Sequence, residues 1–337
     1  MNQSLTEFRT LYLERLLSFL WRQWSALGVA GYGETRDNWA IDPEALLLFT
    51  LAVGRSDARL FDEVLDWLDT NGDFINIQRL KMIVRREQFS GQSVLPAVAE
   101  LLTQRHNSLK WKGLIQDKKP PVHKESLFLL KDRQPLEQYG EPEPIFLKHG
   151  FTRGGIKLRG RTQPVRTMYP TGLVFKLRAL FGINARSEII LYLLTHEAAH
   201  PSLIARDIYY SQKTVQDTLV AMAQSELILI RPVGKEKQYW LKTWDWLSFL
   251  GYSNKQIQWV NWASLLKALE EIWLKLDQKE LSGLSQLGQS SELRVLMQSV
   301  RTKIESAGFA GALSDDKSYL GERYTSVFLS DIERVLG

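Results

Sequence analysis

Residues 187–244 of this 337-residue chain run SEIILYLLTHEAAHPSLIARDIYYSQKTVQDTLVAMAQSELILIRPVGKEKQYWLKTW, and their reading decides the fold. Ser187 and Glu188 open an apolar run, Ile189 to Leu194, suited to a buried helix. Pro201 and Ser202 start a short second helix through Ile208, and Ser211 is placed to cap a third that runs to about Glu226. Ile204, Ile208, Val215, Leu219 and Met222 recur at helical spacing, which puts them on the inner faces of two crossing helices. Ala205 is small and central, so the following helix can cross closely over it. Two β-prone segments, 227–230 and 238–241, then flank a turn at 231–237.

This geometry leaves Gln212, Lys213, Thr214, Gln216 and Asp217 on the outer, N-terminal part of the third helix, with Lys235 and Lys237 at the hairpin tip. The stretch resembles the winged helix-turn-helix domains of bacterial transcription regulators, of the ArsR/MarR-like kind. Pro201 to Asp207, Ser211 to Val215 and the wing from Ile228 to Leu241 carry the likeness, which is confined to residues 185–244. It implies that the third helix enters the major groove of double-stranded DNA. There Lys and Gln can read purine edges, and Thr can meet a phosphate or a thymine methyl. The wing lysines would reach an adjacent phosphate or the minor groove, and Ser202 and Ser211 complete the expected contact set. One departure stands out: the turn between the two helices usually holds a glycine able to take positive φ, and here it is Tyr209. The resemblance further implies a homodimer on paired half-sites and no cofactor, and it leaves any small-molecule or protein effector open. Some bacterial winged-helix proteins are autoregulating antitoxins, a role compatible with these residues. The competing expectation is a non-catalytic subunit that uses the same scaffold to dock a protein or RNA.

Composition sets the outer bounds. Hydrophobic residues make up 44% and charged residues 24%, ordinary proportions for a globular protein. Cysteine is absent, which excludes disulfides and cysteine-based metal sites and fits a reducing cytoplasm. The apolar run from Ala45 to Val53 is too short to span a bilayer, and the first twenty residues carry Glu7 and Glu14 in an amphipathic pattern unlike a signal peptide. A cytoplasmic protein without membrane contact is expected. The net charge of +5 is unevenly spread: between Glu143 and Glu188 there is no acidic residue. Lys148, Arg153, Lys157, Arg159, Arg161, Arg166, Lys176, Arg178 and Arg186 fall in that interval, with Gly150, Gly154, Gly155 and Gly160 among them. A flexible basic arm that tracks phosphates, Arg153, Lys157, Arg159 and Arg161 foremost, is the functional expectation; a solvated linker is the plain one.

Elsewhere the pattern is helical. Residues 4–27 form an amphipathic helix ended by Gly28, Gly31 and Gly33, and Pro43 starts another through Val53. Asp57 caps a third through about Leu68, and 76–85 and 93–107 are further helices. The order over 43–85 also admits a degenerate second helix-turn-helix. Prolines, Pro120 and Pro121 among them, break up 108–170 into an irregular connector that still has apolar residues to bury. Helices are expected at 173–181, 257–276, 291–307 and 326–336, with 281–290 a loop. The tryptophans at 240, 244, 246, 259, 262 and 273 suit packing or an interface better than a ligand cage. The expected fold is therefore mainly α, a multi-domain helical protein with a small β-hairpin wing. Its units would be an N-terminal helical domain (1–107), a connector (108–170), the winged unit (171–250) and a C-terminal helical domain (251–337).

One motif tempts and fails. His196-Glu197-Ala198-Ala199-His200 has the H-E-x-x-H spacing of zinc hydrolases, which need both histidines on one continuous helix. Pro201 pushes His200 out of helical conformation, and no metal site is expected. Asp62, Glu63, Asp66 and Asp69 form an acidic face at helical spacing, expected to be solvated. No nucleotide-binding glycine loop and no G-x-S-x-G elbow occurs, so no catalytic activity is expected.

Overall fold

The computed structural model describes residues 4–30, 38–115, 123–137, 140–253, 256–315, 319 and 321–336. Gly31, Gly33, Pro120 and Pro121 lie outside them. Fifteen α-helices and two two-stranded sheets are present among these residues. The N-terminal third contributes α1 (Leu5–Ala26), α2 (Pro43–Val53), α3 (Ala58–Asn71), α4 (Ile77–Glu87) and α5 (Leu95–His106). The middle holds β1 (Glu125–Ser126), α6 (Pro144–Lys148), β2 (Phe151–Thr152), α7 (Leu173–Phe181), α8 (Ala185–Thr195), α9 (Pro201–Asp207) and α10 (Gln212–Ala223). After these come β3 (Ile228–Val233), β4 (Glu236–Leu241), α11 (Thr243–Phe249), α12 (Trp262–Leu276), α13 (Lys279–Gly283), α14 (Gln286–Ile304) and α15 (Arg323–Leu336). The mainly helical class expected from sequence is what forms, and no helix among the described residues is long and apolar enough to cross a membrane.

Local chemistry sets the helix ends. Ser4 and Glu7 close a capping box on α1; Asp42 accepts from the amides of Glu44 and Ala45 at the start of α2, with Pro43 in the first turn. Asp57 and Asn76 cap α3 and α4 in the same way. At the expected 281–290 loop the structure instead forms α13 and the first turn of α14. Ser285 caps that turn, and buried Ser290 bonds to Gly321 O and Thr325, which compensates for the flexible composition.

Apolar side chains from every part of the chain, Leu5 to Val335, join one connected core. Its centre is α12, which packs on α1, α2, α4 and α14. Tyr12 Oη donates to Leu269 O at 2.9 Å, and Trp262 Nε1 donates to Ala40 O at 2.6 Å. The units expected at 1–107, 171–250 and 251–337 thus share a core. The 108–170 segment is ordered where described: β1 pairs in parallel with β2, and Phe128 and Phe146 pack edge-on against Phe61.

Two sequence expectations are corrected by burial. The acidic face of α3 is not solvated: Glu63 and Asp66 are buried, Asp62 pairs with Arg153 at 2.8 Å, and Asp69 pairs with Arg105 at 2.7 Å. The basic segment is not a flexible arm either. The amides of Gly160, Arg161 and Thr162 all donate to the Asp66 carboxylate, at 2.8–3.2 Å. Gln163 N donates to Gly28 O at 2.8 Å. Gly28 has φ +103°, and a Cβ there would sit 2.3 Å from Gln163 O, so glycine permits this close approach. The segment is a strap fastened across α3 and the end of α1.

Candidate nucleic-acid interface

The crossing of α9 and α10 is built as the sequence pattern requires. Ile204, Ala205, Ile208, Val215 and Leu219 are all buried between the two helices and α8, and Met222 is half-buried at the far end. Ser211 Oγ accepts from Thr214 N at 3.1 Å and also meets Thr214 Oγ1 at 2.7 Å. Both hydroxyls therefore help to fix the first turn of α10.

The turn between them answers the missing glycine. Tyr209 takes φ 61°, in the left-handed region, and Tyr210 N donates to Ala205 O at 3.1 Å. Together these close α9 with a Schellman motif, in which Tyr209 occupies the position usually given to glycine. A side chain there costs about 1–2 kcal/mol of backbone strain. What offsets it comes from α4. Tyr209 is buried, its Oη donates to Glu87 Oε1 at 2.6 Å, and the guanidiniums of Arg79 and Arg86 lie over its ring at 5.9 and 5.6 Å. Burial and the Glu87 carboxylate raise its phenol pKa, so it stays a donor. Arg86 donates to Arg206 O and Tyr210 O, and Arg79 Nε to Ile208 O, which satisfies carbonyls at the end of α9. The turn is thus clamped by another helix, and the signal for it was present only as two arginines on α4.

The clamp continues inward as an ionic cluster. Arg178 on α7 grips Glu44 through both Nη atoms (2.6 and 2.8 Å) and Glu188 on α8 through Nη2 (2.7 Å). Arg79 reaches Asp42 and also Glu44 Oε2, which it shares with Arg178, the latter contact at 2.7 Å. Glu44 also accepts Asn76 N at 2.7 Å, and Asn76 Nδ2 donates to Tyr210 Oη. Burial would raise the Asp42 carboxyl, but Arg79 outweighs it and holds it below its ordinary value. All five charged side chains are buried or nearly so. Arg178 is therefore no part of a basic surface.

The hairpin follows α10 closely. β3 and β4 pair antiparallel out to Val233 opposite Glu236, so the loop is two residues, Gly234 and Lys235, rather than the seven expected. Gly234 has φ 61° at its first position, as a tight hairpin turn requires. Pro232 fits because one edge of a two-stranded ribbon needs no amide donor. Ala199 exchanges both backbone hydrogen bonds with Tyr239 (3.0 and 2.9 Å), which stitches the loop before α9 to β4.

On this frame Gln212, Lys213, Thr214 and Asp217 are exposed on α10, Ser202 on α9, and Lys235 and Lys237 at the hairpin. Gln216 is different: it is half-buried, with Nε2 3.4 Å from Tyr239 Oη, and faces the hairpin more than solvent. Ser202 Oγ is 2.7 Å from His200 Nδ1, and that imidazole caps α9. Arg206 on α9 and Arg231 on β3 are further exposed cations, paired with Asp207 at 2.8 Å and Glu197 at 3.5 Å. Arg153 leaves the candidate set. It is buried between the rings of Phe128 and Phe146 and paired with Asp62, so it cannot reach a phosphate. Lys157, Arg159 and Arg161 are exposed, but the hydrogen bonds of their strap go to α3 and α1, not to α9, α10 or the hairpin.

The H-E-x-x-H spacing does not lie on a helix. α8 ends at Thr195, and His196 and His200 both have extended backbone. His196 stacks on Tyr192 at 3.8 Å and meets Trp259 edge-on, and burial lowers its pKa. α2, α3 and α4, whose order admits a degenerate second helix-turn-helix, are followed by a single helical turn at Ser90–Ser93 and then α5, with no hairpin among these residues. Compared with family models, with curated proteins and with solved structures, the chain has no match in any of the three.

Proposed function

We propose that the chain binds double-stranded DNA, with the first turns of α10 in the major groove and the hairpin lysines on the flanking backbone. One observation carries this reading. Gln212, Lys213, Thr214 and Asp217 are exposed on a helix whose inner face and N-terminal turn are rigidly held. Preorganised side chains at the N-terminal end of such a helix are what direct base readout requires, and the tip lysines supply sequence-independent attraction. A transcription regulator acting as a homodimer on paired half-sites is the role that fits best, and autoregulation as an antitoxin is compatible with it.

A second reading, a non-catalytic docking subunit, draws on α11. Trp244 and Phe249 there are 66% and 67% exposed, which suits a partner protein more than a nucleic acid. Binding to a pool of random duplexes across a salt series separates the two. The DNA reading expects log K to fall linearly with log[salt], with a slope set by the number of phosphates neutralised. Lys213→Ala is expected to narrow the gap between specific and random sequence, and Lys235→Ala to weaken both alike. No measurable duplex affinity at low salt would transfer the assignment to the docking reading.

A further inference from the structure

The outer face of α4 borders a cleft of about 950 Å³ that the DNA reading does not use. Lys81 and Arg85 line it from α4, Lys124 from the residue before β1, and Lys148 from the end of α6. Among the described residues, the only carboxylate on its lining is Glu125, and Arg55 holds that at 3.1 Å. Lys148 is shared with His149 on the Glu100 carboxylate, at 2.7 and 2.8 Å. Lys81, Arg85 and Lys124 have no ion-pair partner among the described residues, and all three are exposed. Val84, Leu95, Pro96, Leu114 and Ile115 contribute an apolar wall to the same lining.

We infer that this cleft binds a small ligand with a phosphate chain on a largely apolar body, of the size and charge of a nucleoside di- or triphosphate. Three unpaired cations converging from two separate segments match a polyphosphate better than a single carboxylate, which one arginine would satisfy. The apolar wall excludes a bare anion as the whole ligand, and the volume lies in the range of small-molecule sites. Around α4, at about 100° per residue, Lys81 and Arg85 sit roughly 100–160° from Arg79 and Arg86, which hold the end of α9. The cleft is therefore on a different side of α4 from the α9–α10 turn.

The test is calorimetric titration of ATP, and separately of inorganic pyrophosphate, into the full chain without metal or DNA. ATP is expected to bind, pyrophosphate at least tenfold more weakly. The double variant Lys81→Ala/Arg85→Ala should weaken ATP at least tenfold with an unchanged melting temperature, because both side chains are exposed. Lys124→Glu, on a different segment, should do the same, whereas Lys213→Ala/Lys235→Ala should have no effect. No heat with either ligand at millimolar concentration overturns the assignment, as does unchanged ATP affinity in both cleft variants. If the cleft variants lose duplex DNA instead of ATP, the cations belong to a nucleic-acid surface and the small-ligand site is refuted. Because the first arm contains no DNA, this inference can fail while the DNA reading stands, and the reverse.

Discussion

The chain contains two runs of three helices, α2–α4 and α8–α10, that begin alike and are used differently. In both, a buried apolar helix is followed by two capped ones. The first run is largely absorbed: the inner face of α4 packs on α2 and α12, and α3 lies under the strap from the basic segment, which leaves only the outer face of α4 to the cleft. The second run keeps the outer side of α10 open, and its sheet is confined to a hairpin. What differs is which cationic side chains find carboxylates or carbonyls inside the protein. Arg79 and Arg86 on α4 are consumed by internal partners, while Lys213 on α10 and Lys235 on the hairpin are presented to solvent. A helical pattern with cations becomes a surface only where no other segment claims them.

The largest expected effect tests whether the two runs are one folding unit. Arg178→Leu leaves Glu44 and Glu188 buried without their shared guanidinium, and should cost about 3–5 kcal/mol. Urea denaturation of the full chain would show it as one shifted transition; two transitions would mean that the runs unfold separately. Next comes the turn. Tyr209→Phe removes the donor to Glu87 and should cost about 1–3 kcal/mol, whereas an equal cut at the exposed Lys213 should stay within about 0.5 kcal/mol.

Asp66 allows a pH test of the covered face. Burial would raise its carboxyl, but the amides of Gly160, Arg161 and Thr162 and the Thr162 hydroxyl outweigh that and hold it below the usual value. A depressed folded pKa means stability present at neutral pH and lost as pH falls through the folded value, so below about pH 4. Asp66→Asn should lower the denaturation midpoint at pH 7, and the gap to wild type should shrink on acidification. A constant gap down to pH 2 would show that the strap does not depend on the charge. The smallest stability change is expected from Lys235→Ala/Lys237→Ala, which should leave the melting temperature alone. In duplex binding it should reduce the salt slope by about 0.9 for each phosphate no longer neutralised.

The elements themselves were legible because their signals are local. The caps Asp57 and Ser211, the proline at the start of α2 and the apolar spacing of Ile204 to Leu219 all fall within one or two helical turns. The misread parts depend on distant partners. Asp66 meets residues 160–162, and Arg178 meets Glu44 across 134 positions, so charge spacing alone made the one look solvated and the other exposed. The Tyr209 departure was visible, but its remedy was not, since Glu87 and Arg86 lie 122 and 124 positions from their partners Tyr209 and Tyr210. The candidate interface was legible in its exposed residues except Gln216, which the longer hairpin draws inward, and Arg153, which two phenylalanines and Asp62 enclose.

The single carboxylate of Glu44, held at once by a guanidinium from α7, one from α4 and the amide that begins α4, makes the unit from α8 to β4 untransplantable. A gene segment cut to encode 171–250 would yield Arg178 and Glu188 without their anchor and α9 without its clamp. Such a polypeptide should be recovered as a collapsed, aggregation-prone species, and grafting α8 to β4 onto another scaffold would require α2 and α4 to travel with it.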